Sequence, residues 1–295
     1  MINVYEQVDR NKNKSLLIIA AFFIFIVGSG WLISQVLELG TIGVFFALTL
    51  AIGSTLVSYY SGDKIALSLA GARPTNKMAE PFLYSAVENL GRAAQIPTPK
   101  IYISEDQAMN AFATGRNPQN ASICLTRGLL SNLNQTEIES VIGHEIAHIK
   151  NLDTRLFTVV AILIGMVSIL SRLAVQPRIG NRDRDRNGGI LFFLGIVAVI
   201  LSPIIGRLIQ LAISRRREFL ADASSALLTR QPSGLIGALK KFAQNNQPFR
   251  FANNATAHFF IVNPFFSQGK LSGLAKLFNT HPPIEDRIAE LEKMV

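Results

Sequence analysis

The sequence predicts a mainly helical α+β protein with four transmembrane or membrane-associated helices, and three features carry that reading. Two uncharged runs of bilayer length lie close together near the N-terminus. Three short β-type runs and a well-capped helix follow within residues 62–155. Two more apolar segments then separate that region from a second polar one, residues 214–295.

Composition points the same way. Of 295 residues, 49% are hydrophobic, and the mean hydropathy is +0.30, too apolar for an ordinary soluble domain. Lys and Arg number 29 against 20 Asp and Glu, a formal charge of +9. The basic residues gather beside the apolar runs, as Arg10, Lys12 and Lys14, then Lys64, Arg73 and Lys77, then Arg215, Arg216 and Arg217. That placement indicates a lipid bilayer and not nucleic acid as the partner of the charge. A single cysteine, Cys124, excludes an intramolecular disulfide and any Cys-rich metal site, and reads as a small buried apolar side chain.

Taken in order, residues 1–14 form an N-terminal segment with a basic flank, and residues 15–37 carry no charge. A bilayer core takes about 20 helical residues, so this run is long enough to cross. A second uncharged run, 41–61, follows almost at once, which makes residues 15–61 a transmembrane hairpin and not a cleavable signal peptide. Its turn carries only Glu38, whereas both outer ends carry Lys and Arg. The positive-inside rule therefore puts the N-terminus and the chain after residue 62 in the cytoplasm.

Within 62–155 an amphipathic helix is expected over 79–95, ending before Pro97. Lys100–Ile103, Ala111–Thr114 and Ser122–Thr126 are bounded by turn residues, as strands of a small sheet are. Asn134, with Glu137 three residues on, opens a helix in which Ile138, Val141, Ile142, Ile146 and Ile149 recur at helical spacing. Residues 156–213 form a second hydrophobic hairpin, with apolar segments at 156–175 and 190–213. Arg172, Pro203 and Arg207 interrupt those segments, and the loop holding Arg178 to Arg186 has the wrong charge for an external loop. Two readings stay open: a hairpin that crosses the bilayer, or one packed partly on the cytosolic domain. Beyond residue 214 helices are expected near 216–230, 233–244 and 284–294, and no internal repeat occurs.

The chemistry begins at His144-Glu145-Ile146-Ala147-His148, an H-E-x-x-H pattern inside the capped helix. Helix positions i and i+4 share one face, so two imidazoles can hold one ion. Glu145 is one step round, close enough to take a proton from an attacking water without being a ligand. Zinc suits nitrogen and oxygen ligands and acts as a Lewis acid, and a catalytic zinc site needs a third protein ligand. Arg217-Glu218-Phe219-Leu220-Ala221-Asp222 offers Glu218 as that ligand and Asp222, one turn on, as an acceptor behind a ligating histidine. The alternative for both is an exposed helix face paired with Arg215 to Arg217. Asn110-Ala111-Phe112-Ala113 offers an exposed strand whose free backbone groups can pair with an extended peptide, against the alternative of an ordinary core strand.

These motifs in this order, H-E-x-x-H, then E-F-x-A-D across a hydrophobic hairpin, with Asn110-Ala111-Phe112-Ala113-Thr114-Gly115 before and His281-Pro282-Pro283 after, resemble the HtpX-type membrane metalloproteases. More distantly they resemble the CAAX-prenyl endoproteases of the same gluzincin group. The resemblance implies a gluzincin-type fold with one Zn2+ per chain, Glu218 as third ligand, Asp222 behind a ligating histidine, and His281 near enough to help stabilise the oxyanion. It further implies an endopeptidase of a bacterial cytoplasmic (inner) membrane, multi-pass, its active site facing the cytoplasm, acting on membrane or misfolded proteins in quality control and stress response. A CAAX-type processing enzyme of lipidated proteins and a zinc-binding transporter or sensor are the alternatives. Arg287 reads as a positioning residue or a surface charge, and His258 as a packed loop histidine.

Overall fold

The computed structural model describes residues 4–36, 40–158, 215–245, 247, 261 and 282–295. Two long helices come first, α1 (Val4–Val36) and α2 (Gly40–Leu69), packed against each other as a hairpin. The Ser34 hydroxyl donates to the Gly40 carbonyl across the turn at 2.6 Å. Both helices outrun the apolar segments read from the sequence: α1 begins well before residue 15, and α2 continues past residue 61. No proline interrupts either chain there, so the helices extend through their charged flanks. Among the described residues no helix is long and apolar enough to cross a membrane. The hairpin itself is present, and Leu16, Leu17, Ile24 and Trp31 of α1, with Ile42, Phe45, Ile52 and Leu56 of α2, stand exposed on it.

A mixed four-stranded sheet follows. Its strands are β1 (Ala72–Pro74), β2 (Lys100–Ser104), β3 (Ala111–Thr114) and β4 (Ser122–Thr126), in spatial order β1-β2-β4-β3. β2 and β4 run parallel, and β1 and β3 pair antiparallel on the two sides, which leaves β3 at an edge. Helix α3 (Pro81–Ala94) opens with proline in its first turn and closes on Gln95 in the left-handed region (φ 59) before Pro97. β1 and the short helix α4 (Arg127–Asn132) were not foreseen, since three residues and six residues are too short to show a period.

Helix α5 (Gln135–Lys150) carries the capping box expected at its start: Asn134 accepts from the Glu137 amide at 2.9 Å, and Glu137 accepts from the Asn134 amide at 2.8 Å. A further helix, α6, begins at 153–158. After it the described chain resumes with α7 (Arg215–Thr229), α8 (Pro232–Gln244) and α9 (Ile284–Glu292). Val87 and Leu90 of α3, Ile101, Ile123 and Leu125 of the sheet, Ile142, Ile146 and Ile149 of α5, and Leu235 and Leu239 of α8 share one core. α5 is thus buried between the sheet and α7, and nearly all of its side chains are enclosed. Gly143 makes the crossing of α5 and α7 close, because a Cβ there would stand 3.0 Å from the Ser225 Oγ. Ser225 also donates to the Ser140 carbonyl at 2.5 Å. The small residues at this crossing let the acidic first turn of α7 reach the histidines of α5. The second hydrophobic hairpin read at 156–213 lies outside the described residues beyond Thr158.

Candidate metal centre

His144 and His148 stand one turn apart on α5, and Glu218 comes from the first turn of α7. All three are buried, with relative exposures of 1%, 5% and 1%. The two Nε2 atoms are 3.1 Å apart, and the Glu218 carboxylate oxygens lie 3.7 Å from His144 Nε2 and 3.6 Å from His148 Nε2. Ligand atoms about 2.1 Å from a tetrahedral zinc stand about 3.4 Å from one another, so these three spacings match three corners of such a site. Among the described residues this is the group of His, Cys, Asp and Glu side chains able to share an ion.

The outer nitrogens explain which way the lone pairs point. His144 Nδ1 lies 2.9 Å from Asp222 Oδ1, and His148 Nδ1 lies 3.0 Å from Asp153 Oδ2. Ionised carboxylates only accept, so each Nδ1 carries a proton, and each ring in its neutral form turns the lone pair of Nε2 inward. Two imidazole nitrogens and a buried carboxylate thus converge on one point, where a cation can satisfy all three. The donor set therefore fits a divalent metal of borderline softness, zinc being the common case.

Two buried arginines set the electrostatics. Arg287 of α9 donates from Nε and Nη2 to the two oxygens of Asp222 at 2.8 and 2.6 Å, and from Nη1 to the Ile261 carbonyl at 3.1 Å. Its Nη1 is also 3.8 Å from Glu218 Oε2. Burial alone would push Asp222 up, but the Arg287 charge and the hydrogen bonds from His144 and Arg287 hold it below the usual range. Arg217 places Nη1 3.2 Å from Asp153 Oδ1. With Arg217, Glu218 and Asp222 all buried, the exposed-face alternative for α7 falls. Arg287 likewise is no surface charge, at 1% exposure.

Asp153 was missed in the sequence. It sits five residues beyond His148, at the start of α6, and only the three-dimensional turn at Asn151 and Leu152 (φ 58) brings it back against the imidazole. Burial disfavours the charged form of His148, yet the Asp153 hydrogen bond and the charges of Glu218, Asp153 and Glu145 raise it to about 9. Burial dominates at His144, whose pKa is lowered. Phe157 closes one side of the centre, its ring centroid 5.5 Å from that of His148.

Glu145 is 3% exposed, lies within the electrostatic reach of His148 and Glu218, and accepts a hydrogen bond from the Ala113 amide of β3. Burial pushes it up to about 7, with the charge of His148 and the Ala113 amide pulling it down and the charge of Glu218 pushing it further up. The β3 register fixes which backbone groups are free. The Thr126 amide donates to the Asn110 carbonyl at 3.0 Å, so Asn110 and Thr126 are a directly bonded antiparallel pair. Bonded and non-bonded pairs alternate, which turns the amides of Phe112 and Thr114 to β4 and those of Ala111 and Ala113 to the open edge. Asn110 and Phe112, read with their neighbours as one peptide-pairing run, thus face the sheet with their backbone. Gly115, at φ +135, ends the strand, and its amide points at Thr158 Oγ1, 3.4 Å away. His281 and His258 lie outside the described residues. Cys124 is fully buried in β4, and burial pushes its thiol up.

The family model of peptidase family M48 matches residues 77–295, which contain every residue of this centre. The chain belongs to that family. M48 relatives extend the match to nearly the whole length. "Protease HtpX homolog" of Dictyoglomus turgidum is 42% identical over 291 residues, covering 98% of this chain and 94% of the relative. The protein of the same description from Caldanaerobacter subterraneus is 40% identical, covering 99% and 98%, and that from Streptococcus gordonii 39%, covering 99% and 100%. The HtpX-type resemblance seen in the motifs therefore holds over the full M48 chain. Among solved structures, Ste24p of S. mikatae aligns at a TM-score of 0.49 and 18% identity, covering 98% of this chain and 67% of that one. Membership of M48 makes the chain a metallopeptidase, and its His-His-Glu group lies together as a group able to hold a metal ion.

Proposed function

We propose that the chain is a membrane-embedded zinc endopeptidase in which His144, His148 and Glu218 hold the metal and Glu145 is the general base. The observation that carries it is the convergence of two Nε2 lone pairs and a buried carboxylate at tetrahedral spacing, beside a second carboxylate whose pKa is brought to about 7. Bound zinc supplies a Lewis acid that polarises the scissile carbonyl and acidifies water. Glu145 takes a proton from the attacking water and delivers it to the departing amine, and a base near neutrality is suited to both halves of that exchange. Asp222 and Asp153 hold the imidazoles in the tautomer that presents Nε2. The open-edge backbone groups of Ala111 and the Ala113 carbonyl pair with an extended peptide, and Asn110 anchors the strand at its start, its Oδ1 3.4 Å from the Ile261 amide. His281 keeps its proposed role beside the oxyanion on the strength of the resemblance.

A bilayer around the α1–α2 hairpin is supported by the uncharged run 15–36 inside one continuous helix and by the exposed apolar side chains along both helices. Where the second run ends, Arg116 lies over the Tyr60 ring at 4.8 Å and Arg155 over the Tyr59 ring at 5.6 Å, the basic and aromatic chemistry of a membrane interface. We assign the centre to the cytoplasmic side of a bacterial inner membrane, a side that the basic flanks of the hairpin support. The names of the relatives support protein substrates, and we assign membrane or misfolded proteins in quality control as their class. Purified Glu145→Gln protein tests the core of this reading. It is expected to bind one zinc per chain and to lose proteolysis by at least about a hundredfold, the usual weight of a general base. Metal loss in that variant, or chelator-resistant cleavage by the parent, refutes it.

A further inference from the structure

We infer that Asn11, in the first turns of the membrane hairpin, is a positioning residue of the metal centre, acting through Asp153 on His148. This rests on the metal-centre reading above and extends it to a part of the chain that the M48 match, residues 77–295, does not include.

Asn11 lies in a stretch that should be solvated. Its neighbours are Asp9, Arg10, Lys12 and Lys14, yet Asn11 itself is 1% exposed. A buried amide in a charged helical turn needs partners, and both protons of this one are used. Nδ2 donates to the Asn151 carbonyl at 2.8 Å and to Asp153 Oδ1 at 2.7 Å. Its Oδ1 in turn receives Arg217 Nη1 at 3.4 Å. Asn11 of α1 and Arg217 of α7 thus meet at the Asp153 carboxylate of α6, and Asn11 also ties down the α5–α6 turn through the Asn151 carbonyl.

The division of labour on Asp153 gives the contact its consequence. Oδ1 takes Asn11 and Arg217, which leaves Oδ2 directed at His148 Nδ1, 3.0 Å away. Asp153 has no exposed surface, so no water stands ready to replace a lost donor. Without the Asn11 amide, Oδ1 keeps only the longer bond from Arg217, and the carboxylate can swing towards that arginine and away from the imidazole. Partners directly behind a ligand are worth about 10–100-fold in metal affinity or activity, and Asn11 stands one bond further out, so about a tenfold loss is expected. An asparagine suits the place better than aspartate, which would set a second negative charge 2.7 Å from the first. It also suits it better than glutamine, whose extra carbon does not fit a buried crossing.

The test compares full-length protein in detergent micelles, wild type against Asn11→Ala, Asn11→Ser and Ser15→Ala. Zinc dissociation constants come from competition with a chromophoric chelator, and the thermal midpoint in excess chelator reports the fold without metal. Asn11→Ala and Asn11→Ser should each bind zinc about tenfold more weakly than wild type. Either variant alone decides the matter if the other does not accumulate. Ser15→Ala removes a buried bond to the Asn11 carbonyl, 2.8 Å in the parent, without touching Asp153, and should keep wild-type affinity. If Asn11 only braces the helix, its variants lower the metal-free midpoint and leave the zinc constant within twofold of wild type, which overturns the inference. Failure of the wild type itself to bind one zinc would bring down the metal-centre reading, and a difference between wild type and Asn11 variants separates the two.

Discussion

Zinc binding should release a proton, and the pH at which it stops doing so can be taken from the structure. In the metal-free protein His148 is raised to about 9, because the Asp153 hydrogen bond and the charges of Glu218, Asp153 and Glu145 outweigh the cost of burying an imidazolium. Zinc binds only the neutral ring, so below that pH each ion displaces one proton. The sign follows: apparent affinity rises with pH up to about 9 and then levels. Between pH 7 and 9 the gain is about 50-fold, or about 2.3 kcal/mol at 1.36 kcal/mol per unit. Chelator competition from pH 6.5 to 9.5, corrected for the proton affinity of the chelator, gives the slope. Asp153→Asn removes both the charged acceptor and one of the three charges, and burial then pulls His148 down, so the break in its profile should move to lower pH. A dissociation constant that stays flat between pH 7 and 9 would refute the reasoning, as would a break left in place by Asp153→Asn.

Other perturbations probe the parts around the metal. Ala111→Pro removes an amide that faces the open edge of β3 and should depress cleavage of long peptides while zinc content and thermal midpoint hold. Phe112→Pro removes a bond to β4 instead and should unfold the sheet, so similar behaviour of the two by circular dichroism would mean that the edge is misassigned. Arg287→Met leaves Asp222 and Glu218 buried without their cation and should cost about 3–5 kcal/mol, the usual result of breaking a buried pair from one side. Adding Asp222→Asn to it should recover part of that loss in a denaturant titration, and strict additivity would argue against direct coupling.

Much of this architecture was legible because local signals and burial agree. Asn134 and Glu137 mark a helix start by their own hydrogen bonds, and the H-E-x-x-H spacing is a statement about one helix face. Glu218 was half legible, since spacing alone could not distinguish a ligand from a solvated carboxylate. The α5–α7 crossing, made close by Gly143 and Ser225, buries it beside the two histidines, and no pattern within either helix encodes that crossing. Asp153 and Asn11 were invisible for a related reason. They act across turns and across 142 residues of chain, where periodicity carries no information. The parity of β3 was likewise hidden, because Ala111-Phe112-Ala113-Thr114 is buried on both faces and shows no alternation. The second hairpin and His281 stay as sequence expectations, outside the described residues.

The buried thiol in β4 has a practical use. A protein with one cysteine usually has it replaced before reporter groups are attached elsewhere, and here replacement would set a hydroxyl into a strand whose five side chains are all enclosed. Cys124 has no exposed surface, and its raised pKa leaves almost no thiolate to react with maleimide at neutral pH. The natural sequence is therefore already silent to such reagents. A cysteine introduced at an exposed position such as Ser233 on α8 would be read against an empty background, so the side of the bilayer on which each loop lies can be mapped in the unaltered core.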